Sequence, residues 1–400
     1  HEAAPPAAPL HVCHVLLNLG CGGMENGLVA LANGLRREGR FRHSVVCLGE
    51  AGVFRTRLAE DVPLYALETG AGGQLRRHRR LWSALRALRP DIVHTRNLPT
   101  IDLFPTIRAA GVRRMVHSEH GVDLIEADGS PWRYRLVRRL GSRVIPAYVA
   151  LSTGLRDWMA GENGIPAEKI AVLVNGVDTE HFRPPTPAER QAARAAWPGV
   201  VGAAAGAGDA RVIGSLGRLE AIKDHATLAR AYVEMLRRRP ELRATTVLVI
   251  GGEGRCRETV QAILDAAGLA DRLALPGYVA DPARFYHGLD LFVLPSLSEG
   301  TSNTILEAMA SGLPVVATEV GEARRLVAEG ETGRIVPPGD PAALAEALLA
   351  GLDDPAGLAA AGVAARQRVQ ARFSLDRMLD AYAAVYTAAA AGRAPPQPDP

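Results

Sequence analysis

The sequence has few lysines and cysteines and no long apolar run, and each shortage excludes a class of protein. Only Lys169 and Lys223 among the 46 basic residues are lysine, and the formal net charge is +3. A dedicated nucleic-acid-binding protein carries a strong basic excess, so nucleic acid is excluded as a partner. The four cysteines form no Cys-x-x-Cys pair and no zinc-ligand spacing, which is typical of free thiols in a reducing compartment. Because no run of about 18 apolar residues occurs, no transmembrane helix is predicted.

The charge is divided unevenly along the 400 residues. Residues 1–182 contain 23 basic and 18 acidic residues, whereas residues 183–400 contain 23 basic and 25 acidic residues. A chain of this length exceeds what one hydrophobic core usually serves, so we expect two domains with different partners.

Short β-branched runs alternate with longer amphipathic stretches, and the alternation occurs twice. The predicted strands cover residues 11–17, 43–48, 62–67, 91–95, 113–118, 147–151 and 170–174, and then 211–217, 245–251, 271–275, 290–295, 313–318 and 333–337. Helical patterns cover residues 23–39, 75–89, 131–142, 224–239, 255–268, 303–311 and 340–352. This alternation predicts an α/β fold with two Rossmann-like, doubly wound parallel-sheet domains facing a central cleft, with ligands at the carboxyl ends of the strands.

Stretches rich in proline and glycine divide the chain into segments. The predicted segments are a flexible lead-in at 1–9, an N-terminal domain at 10–183, a linker at 184–210 with a short helix at 188–196, a C-terminal domain at 211–372, a final helix at 373–391 and a disordered tail at 392–400.

The loop after the first predicted strand is rich in glycine. Gly22 and Gly23 precede Met24 and Glu25 at the start of a predicted helix. Glycines in this position let backbone N–H groups approach an anion, and the helix dipole favours negative charge. The spacing is neither a dinucleotide fingerprint nor a Walker A loop, and a tight turn is the structural alternative.

A second loop follows the first strand of the C-terminal domain. Gly217 and Arg218 end that strand, and Lys223 stands five residues further on. An arginine fork and a lysine point charge together suit a diphosphate. The alternative is a pair of solvated cations, but a lysine in so arginine-rich a chain favours the functional interpretation.

A third loop leads into the helix predicted at 303–311. Glu299 lies on the loop, Thr301 or Ser302 can cap the helix, and Glu307 falls further along it. A phosphate at the helix N-terminus, with carboxylates accepting from sugar hydroxyls, suits a nucleotide sugar. A surface position is the alternative for Glu299 alone.

His120 follows an N-domain strand and precedes a glycine, so it is a candidate hydrogen-bond donor or proton relay. A purely structural histidine is the alternative. His117 and Glu119 share one face of the strand and His120 lies on the other, which disfavours a metal site.

Basic residues cluster in the N-terminal domain. The clusters are Arg76, Arg77, His78, Arg79 and Arg80, then Arg113 and Arg114, then Arg133, Arg135, Arg138 and Arg139. Such clusters are either solvated faces or an anionic membrane-binding surface, for which the amphipathic stretch 131–142 is suited.

Taken together, these sequence motifs resemble those of the retaining GT-B glycosyltransferases of family four, and the resemblance extends over residues 10–390. The resemblance is carried by Gly22-Gly23-Met24-Glu25, Ser118-Glu119-His120-Gly121, Asn175-Gly176-Val177-Asp178, Gly217-Arg218-Leu219, Lys223-Asp224, Gly251-Gly252-Glu253-Gly254, Glu299 with Glu307, residues 310–318, and Thr332-Gly333 with residues 336–340. A finer similarity, to sugar transferases of exopolysaccharide and PEP-CTERM (exosortase) loci, is carried by His94-Thr95-Arg96-Asn97, Glu119-His120-Gly121 and Asp128-Gly129-Ser130.

The resemblance implies roles for the matched residues. Arg218 and Lys223 would hold the donor diphosphate, Glu307 the ribose and Glu299 the donor sugar, while His120 would reach the transferred sugar. The amides of Gly300, Thr301, Ser302 and Asn303, with Gly217, Gly251 and Gly252, would complete the donor site, and Gly22, Gly23, Met24 and Glu25 would line the acceptor and phosphate loop. It also implies catalysis without a metal or other cofactor, which agrees with the absence of an Asp-x-Asp motif from the sequence.

The resemblance further implies a nucleotide diphosphate sugar as donor and a lipid-linked or saccharide hydroxyl as acceptor. It implies a final helix that crosses back to the N-terminal domain, and a cytoplasmic enzyme that can be peripheral at the inner membrane face. The chain departs from the family at Val320-Gly321-Glu322-Ala323-Arg324-Arg325, beside the donor site, and at Cys21. The alternatives are a nucleotide-sugar 2-epimerase of the same architecture and a non-catalytic, membrane-associated assembly subunit.

Overall fold

The computed structural model describes residues 8–20, 22–37, 39–69, 73–121, 131–197 and 210–397. Outside the described residues lie most of the predicted lead-in, residues 198–209 of the predicted linker, Cys21, the Asp128-Gly129-Ser130 motif and the last three residues of the tail. The chain divides into two compact units, residues 1–176 with 375–400 and residues 177–374. We call them unit 1 and unit 2.

Unit 1 is built on a parallel sheet that has seven strands within the described residues. The strands are β1 (Leu10–Leu16), β2 (Phe41–Cys47), β3 (Leu64–Ala66), β4 (Ile92–Arg96), β5 (Arg114–Glu119), β6 (Ala147–Ala150) and β7 (Ile170–Val172). Their order in the sheet is β3-β2-β1-β4-β5-β6-β7. The helices of unit 1 are α1 (Gly23–Arg36), α2 (Gly73–Leu88), α3 (Phe104–Ala109), α4 (Trp132–Gly141), α5 (Thr153–Gly161) and the C-terminal helix Leu375–Ala390, with 3-10 turns at Val53–Arg57, Leu98–Leu103 and Ala167–Lys169.

Within the part of the chain that the structure describes, unit 2 repeats this architecture with a six-stranded parallel sheet. The strands are β8 (Arg211–Leu216), β9 (Thr246–Gly251), β10 (Leu273–Gly277), β11 (Leu291–Leu294), β12 (Val315–Thr318) and β13 (Gly333–Val336), in the order β10-β9-β8-β11-β12-β13. Its helices are α6 (Pro187–Arg194), α7 (His225–Arg238), α8 (Arg257–Ala266), α9 (Pro282–His287), α10 (Asn303–Ala310), α11 (Ala323–Leu326), α12 (Pro341–Asp353) and α13 (Pro355–Arg372), with 3-10 turns at Ala221–Lys223, Pro240–Ala244 and Ala270–Arg272. The predicted fold of two doubly wound parallel sheets is confirmed.

Both faces of each sheet are covered, as buried parallel strands require. On one face of unit 1, Val12, Ile92 and Val116 pack with α1 and the C-terminal helix, whereas Cys13 and Val93 pack on the opposite face. The C-terminal helix, α14 (Leu375–Ala390), contributes Leu379 and other buried residues to this core. A side chain on Gly34 of α1 would overlap Leu379, which explains a glycine inside that helix.

The boundary between the units falls after Gly176, whereas the sequence placed it after Arg183. The backbone N–H of Val177 donates to the carbonyl of Phe373 at 3.0 Å, which joins the two ends of unit 2. At the other end of the chain, the Gln397 amide donates to the carbonyl of Ile170 at 3.2 Å in unit 1.

Within the described residues no single helix has the length and apolar composition that crossing a membrane requires, although the bent pair Pro341–Asp353 and Pro355–Arg372 meets both criteria when its members are taken together.

The order of strands reverses beside the first strand of each sheet. In unit 1 this happens between β1 and β4, and in unit 2 between β8 and β11. Loops that leave the carboxyl ends of such a strand pair diverge, and the crevice between them is where doubly wound sheets bind ligands. The predicted donor residues follow β8 and β11, and the predicted glycine loop follows β1.

Candidate active site

In unit 2, the loop after β8 lies directly against the loop after β9. The backbone N–H of Gly217 donates to the Gly251 carbonyl at 3.0 Å, and the N–H of Leu219 donates to Glu253 at 2.8 Å. Gly252 has a φ of +128°, and a Cβ there would overlap the carbonyl oxygen of Gly217. Glycine at position 252 is therefore required by this close backbone approach. Any contact of Gly217, Gly251 and Gly252 with a donor stays a prediction.

The structure brings two of the predicted site residues together. Lys223 Nζ lies 2.5 Å from Glu299 Oε1, and the same oxygen accepts from Ser296 Oγ at 2.7 Å. The loops that carry them are joined by a backbone hydrogen bond of 2.9 Å from the Leu297 N–H to the Ile222 carbonyl. Their side chains are 23% and 12% exposed, so this ion pair is shielded more than an ordinary surface pair.

Arg218 is exposed on the same loop. It makes no side-chain hydrogen bond or ion pair with any residue that the structure describes. The neighbouring Glu220 instead accepts from Arg255 at 2.8 Å. Arg218 therefore offers a planar set of five N–H donors that no protein group in the described ranges occupies.

The third predicted loop ends at the N-terminus of α10. Ser302 is the N-cap, and its hydroxyl accepts from the N–H of Ile305 at 3.5 Å. The loop before this helix is fixed by a backbone hydrogen bond, in which the N–H of Glu322 donates to the Gly300 carbonyl at 3.1 Å. Gly321, with a φ of +52°, leaves no room for a Cβ beside that carbonyl. The stretch 320–325, where this chain departs from the family that its sequence resembles, thus supports the loop that carries Glu299.

Glu307 lies on α10, where its Oε2 accepts from the hydroxyl of Tyr286 at 2.9 Å. Burial, and then the charge of Glu307, raises the pKa of Tyr286 well above its ordinary value, so this hydroxyl remains a donor. Tyr286, from α9, is a partner of Glu307 that the sequence analysis missed. A lone tyrosine 21 positions away from its partner carries no sequence signal.

In unit 1, His120 follows the carboxyl end of β5. Its backbone N–H donates to Asn97 Oδ1 at 2.8 Å, and its Nε2 lies 3.1 Å from Ser118 Oγ. Burial, and then Arg96 and His117, lowers the pKa of His120 well below its ordinary value, so its ring is neutral at pH 7. Asn97 itself has a φ of +59° and a ψ of 174°, a backbone conformation that residues other than glycine rarely adopt.

The strand face opposite His120 carries a separate buried network. Glu119 Oε1 accepts from Arg138 Nη2 at 2.9 Å and lies 3.3 Å from His117 Nε2. Burial alone would raise the pKa of Glu119, but its hydrogen bonds with His117 and the charges of His117 and Arg138 outweigh burial and lower the pKa. The predicted division of faces between His117, Glu119 and His120 is therefore present in the structure, and the described residues hold no group of three or more candidate metal ligands.

The placement of Arg138 corrects one sequence prediction. The sequence grouped it with Arg133, Arg135 and Arg139 as part of a basic surface, but its side chain is fully buried. Its guanidinium pairs with Glu119 and stacks over the ring of Trp158, with 4.6 Å from Cζ to the ring centroid. It therefore supports the His117-to-His120 strand and not a surface.

The glycine loop after β1 is built differently from the one after β8. Gly22 is the N-cap of α1 in an extended conformation, and the N–H of Asn26 donates to its carbonyl at 2.9 Å. A Cβ on Gly22 would overlap the Glu25 carboxylate, so this acid curls back over the helix start. Met24 Sδ lies 3.5 Å from the Asn97 amide. The loop thus adjoins the segment that holds His120.

A buried cluster around Arg96 was missed by the sequence analysis. Arg96 is 2% exposed, and its guanidinium contacts His14 at 3.0 Å and His94 at 3.4 Å, with no carboxylate partner among the described residues. His94 also contacts Tyr386 of α14 at 2.7 Å. The signal was available: His94 and Arg96 are two residues apart, so both face the same side of a strand predicted to be buried.

Comparison with solved structures shows the same architecture. The crystal structure of HepE from Anabaena in complex with UDP superposes with a TM-score of 0.80 over 94% of this chain and 98% of that one, at 21% identity. Two Rossmann-like parallel-sheet domains of this kind define the GT-B glycosyltransferase fold.

Sequence comparison covers both units. The family described as Glycosyltransferase Family 4 matches residues 21–181, and the one described as Glycosyl transferases group 1 matches residues 210–354. A GDP-mannose-dependent alpha-(1-6)-phosphatidylinositol monomannoside mannosyltransferase of Mycolicibacterium smegmatis is 34% identical over 67% of this chain and 68% of its own length. The chain therefore belongs to the group 1, family 4 glycosyltransferases.

Other relatives match over a shorter span. The lipopolysaccharide core biosynthesis mannosyltransferase LpcC of Rhizobium leguminosarum bv. viciae is 36% identical over 216 residues, which are 54% of this chain and 58% of LpcC. Across this and two further curated relatives, the chain spans between 51% and 60% of each relative's length.

Proposed function

We propose that this protein transfers a sugar from a nucleotide diphosphate sugar to an acceptor hydroxyl, with retention of anomeric configuration. The observation that carries the proposal is the Lys223–Glu299 pair, which lies at the strand reversal of unit 2 next to the N-terminus of α10. A cation, a carboxylate and the N-terminus of a helix together match a donor that has a diphosphate and a hydroxylated sugar.

The diphosphate is the leaving group, and its negative charge grows as the bond to the sugar breaks. Lys223 and Arg218 supply positive charge from the same loop, and the first amides of α10 add hydrogen-bond donors. Groups that are fixed before the reaction stabilise such charge without reorganising, which is the main source of rate in this type of site. These cations take the place of a metal ion in the proposed mechanism. The departing diphosphate would then help to deprotonate the acceptor on the same face of the sugar.

In this proposal, Glu299 and Glu307 contact different parts of the donor. Glu299 accepts from hydroxyls of the sugar, since it shares a loop with the amides that face the diphosphate. Glu307 accepts from the ribose, with its second partner Tyr286 holding the carboxylate in place. His120 of unit 1 contributes a hydrogen bond to the transferred sugar.

The acceptor is proposed to be a lipid-linked or saccharide hydroxyl in exopolysaccharide or glycoconjugate synthesis. The support is the similarity of motifs in unit 1 and the activities for which two relatives are named. One relative is a phosphatidylinositol monomannoside mannosyltransferase, and the other is a mannosyltransferase of lipopolysaccharide core biosynthesis. A mannosyl donor is the first to test for the same reason.

The test is nucleotide diphosphate release from a panel of GDP- and UDP-sugars with saccharide and lipid-linked acceptors, with and without EDTA. We expect turnover that EDTA leaves unchanged, and an α-linked product from an α-linked donor by NMR. Lys223→Ala should abolish most donor binding. Lys169→Ala is the matched control, because this other lysine donates to the carbonyl of Ser142 in unit 1 and has no proposed contact with the donor.

Some outcomes would contradict the proposal. Absence of turnover with the whole panel, together with unchanged donor binding in Lys223→Ala, would reject it. Incorporation of solvent protons into recovered donor would instead indicate a 2-epimerase. Tight donor binding without turnover would indicate a non-catalytic assembly subunit.

We further propose that α4 contacts an anionic membrane surface, as an enzyme peripheral at the inner, cytoplasmic face of the membrane would. This helix buries Arg138 and exposes the apolar side chains Trp132, Leu136 and Leu140, the reverse of an ordinary surface helix. The three are spaced by four residues, so they form one stripe, and Arg135 and Arg139 are exposed on the same helix. A basic helix with an outward apolar stripe is suited to lie in a lipid headgroup region.

Vesicle co-sedimentation tests this surface. Binding to vesicles with phosphatidylglycerol is expected to fall with added salt and to weaken in Trp132→Ser with Leu136→Ser. The control is Val363→Ser, which removes an exposed apolar side chain from unit 2. Equal binding by all three proteins would reject the proposal without affecting the proposed transfer reaction.

A further inference from the structure

The interior of unit 1 contains a line of hydrogen bonds that leads from Arg96 to His120. His94 Nδ1 lies 3.4 Å from Arg96 Nη2 and 2.7 Å from the Tyr386 hydroxyl. His94 Nε2 lies 3.0 Å from Ser118 Oγ, which in turn lies 3.1 Å from His120 Nε2. Each group in the line is buried or part-buried, so its partners are these protein groups and not bulk water.

The direction of these hydrogen bonds follows from Arg96. A guanidinium has five N–H donors and no acceptor. If His94 carried its proton on Nδ1, that N–H would face the N–H groups of Arg96. His94 Nδ1 is therefore the acceptor, and the Tyr386 hydroxyl also donates to it, while Arg96 forms a side-chain hydrogen bond with Tyr386.

The rest of the line then has one consistent assignment. Neutral His94 carries its proton on Nε2 and donates to Ser118 Oγ. Within the described residues Ser118 Oγ contacts only these two ring nitrogens, so its single hydroxyl proton is paired only if it donates to His120 Nε2. His120 accepts there, so its own proton lies on Nδ1. That nitrogen is buried and has no hydrogen-bond partner within the described residues.

We propose that Arg96, acting through His94 and Ser118, holds His120 as the tautomer protonated on Nδ1, so that this N–H donates to a hydroxyl of the transferred sugar. The inference rests on the proposed function for the sugar contact, but the tautomer assignment does not. Arg96, His94 and Ser118 are positioning residues, since they act only through His120. A buried N–H without a partner costs free energy until a ligand accepts from it, and a sugar hydroxyl is such an acceptor.

The opposite assignment would give His120 a different chemistry. With its proton on Nε2, His120 would donate to Ser118 and offer only an acceptor at Nδ1. It could then take a proton from a hydroxyl but could not donate to an oxygen that gains charge. The tautomer therefore decides whether His120 is a donor or a base.

Nuclear magnetic resonance on protein with 15N-labelled histidine distinguishes the two forms, because two-bond 1H–15N correlations identify the protonated ring nitrogen. The His120 signal is assigned from its loss in His120→Gln. We expect the Nδ1–H form in the unmodified chain and a mixture of both forms in Ser118→Ala. The Nδ1–H form should persist in Tyr386→Phe, in which Arg96 still faces His94.

The matched control is Thr95→Val. The Thr95 hydroxyl lies 2.8 Å from His117 Nδ1, so this variant also removes a buried hydroxyl next to a histidine in the same sheet, outside the line. It should leave the His120 spectrum unchanged. In kinetics, Ser118→Ala should lower kcat/KM by about tenfold, the loss of roughly one hydrogen bond, while the Kd for nucleoside diphosphate stays constant.

Three results would overturn the proposal. They are an Nε2–H form of His120 in the unmodified chain, an unchanged His120 spectrum in Ser118→Ala, and loss of the Nδ1–H form in Tyr386→Phe. All three are read without any substrate, so they remain separate from a failure of the proposed transfer activity, which the donor panel tests.

Discussion

At the scale of single residues, the sequence indicated candidate site residues but did not indicate which residues they contact. Lys223 and Glu299 were singled out on separate loops, yet their contact spans 76 positions and depends on how two strands are placed. Arg138 was assigned to the surface because nothing local distinguishes it from its three neighbouring arginines. The buried cluster around Arg96 was missed because two of its members, His14 and Tyr386, come from segments far from Arg96 in the sequence.

Tyr286→Phe tests the support of Glu307. Loss of the 2.9 Å hydrogen bond should raise the KM for donor by about three- to tenfold with little change in kcat, because ribose contacts are equal in the ground and transition states. Steady-state kinetics with saturating acceptor measures this. Tyr148→Phe is the control, since the buried Tyr148 hydroxyl of unit 1 has no partner among described residues. A change in kcat alone would contradict the assigned role.

Gly252→Ala tests the close approach of two loops. Both the φ of +128° and the overlap with the Gly217 carbonyl oppose a side chain, so we expect a loss of unfolding free energy above about 2 kcal/mol. Gly268→Ala, with a φ of +68° and no atom near its Cβ, should lose only about 1 kcal/mol. Urea unfolding monitored by circular dichroism compares them. Equal losses would show that strain at φ alone matters.

At the scale of elements, hydrophobic periodicity was sufficient for the strands but not for every helix, because Pro355–Arg372 was not predicted. Each predicted strand matches one of the observed strands, and the short helix predicted at 188–196 is observed as Pro187–Arg194. The pattern was reliable because parallel strands are buried on both faces and leave apolar runs. Loop conformation was not predictable, since it depends on contacts such as the one between Glu322 and Gly300.

Deletion of residues 375–400 tests how far unit 1 depends on α14. The deletion uncovers Val12, Ile92 and Val116, and leaves His94 without Tyr386. We expect unit 1 to lose protection against limited proteolysis while unit 2 keeps it. Removal of residues 394–400 alone should leave both units protected. Cleavage throughout unit 2 in the longer deletion would contradict the division of the chain at Gly176.

At the scale of the whole molecule, several basic and titratable side chains of unit 1 lie in its interior. The basic excess of the first half is partly internal, because Arg96 and Arg138 are buried. Four histidines of unit 1, His11, His14, His43 and His94, are also internal, and their rings are neutral at pH 7. Burial lowers the pKa of His11 and His43 to about 4, and burial followed by Arg96 lowers the pKa of His14 and His94 well below the ordinary value of 6.5.

These lowered pKa values predict acid sensitivity. Below about pH 6.5 the unfolded chain binds protons on these histidines while the folded chain does not, so unfolding becomes easier as the pH falls towards about 4. Each such histidine adds a slope of up to about 1.4 kcal/mol per pH unit. The urea midpoint at pH 7.5, 6.0 and 5.0 measures the effect, and His43→Gln should flatten it. A midpoint independent of pH over this range would contradict the assignment of neutral buried rings.

The pairing of His94 with Tyr386 also sets an order of events during translation. The two residues are 292 positions apart, so a ribosome needs about 15 to 60 s to pass from one to the other. Residues 177–374 emerge complete within that interval, whereas the first sheet still lacks the helix that covers one of its faces. The strands of unit 1 are thus synthesised before unit 2 but complete their core after it. Until α14 has been synthesised, Arg96 and its neighbouring histidines belong to a sheet that lacks one covering helix, where chaperones and proteases can reach them.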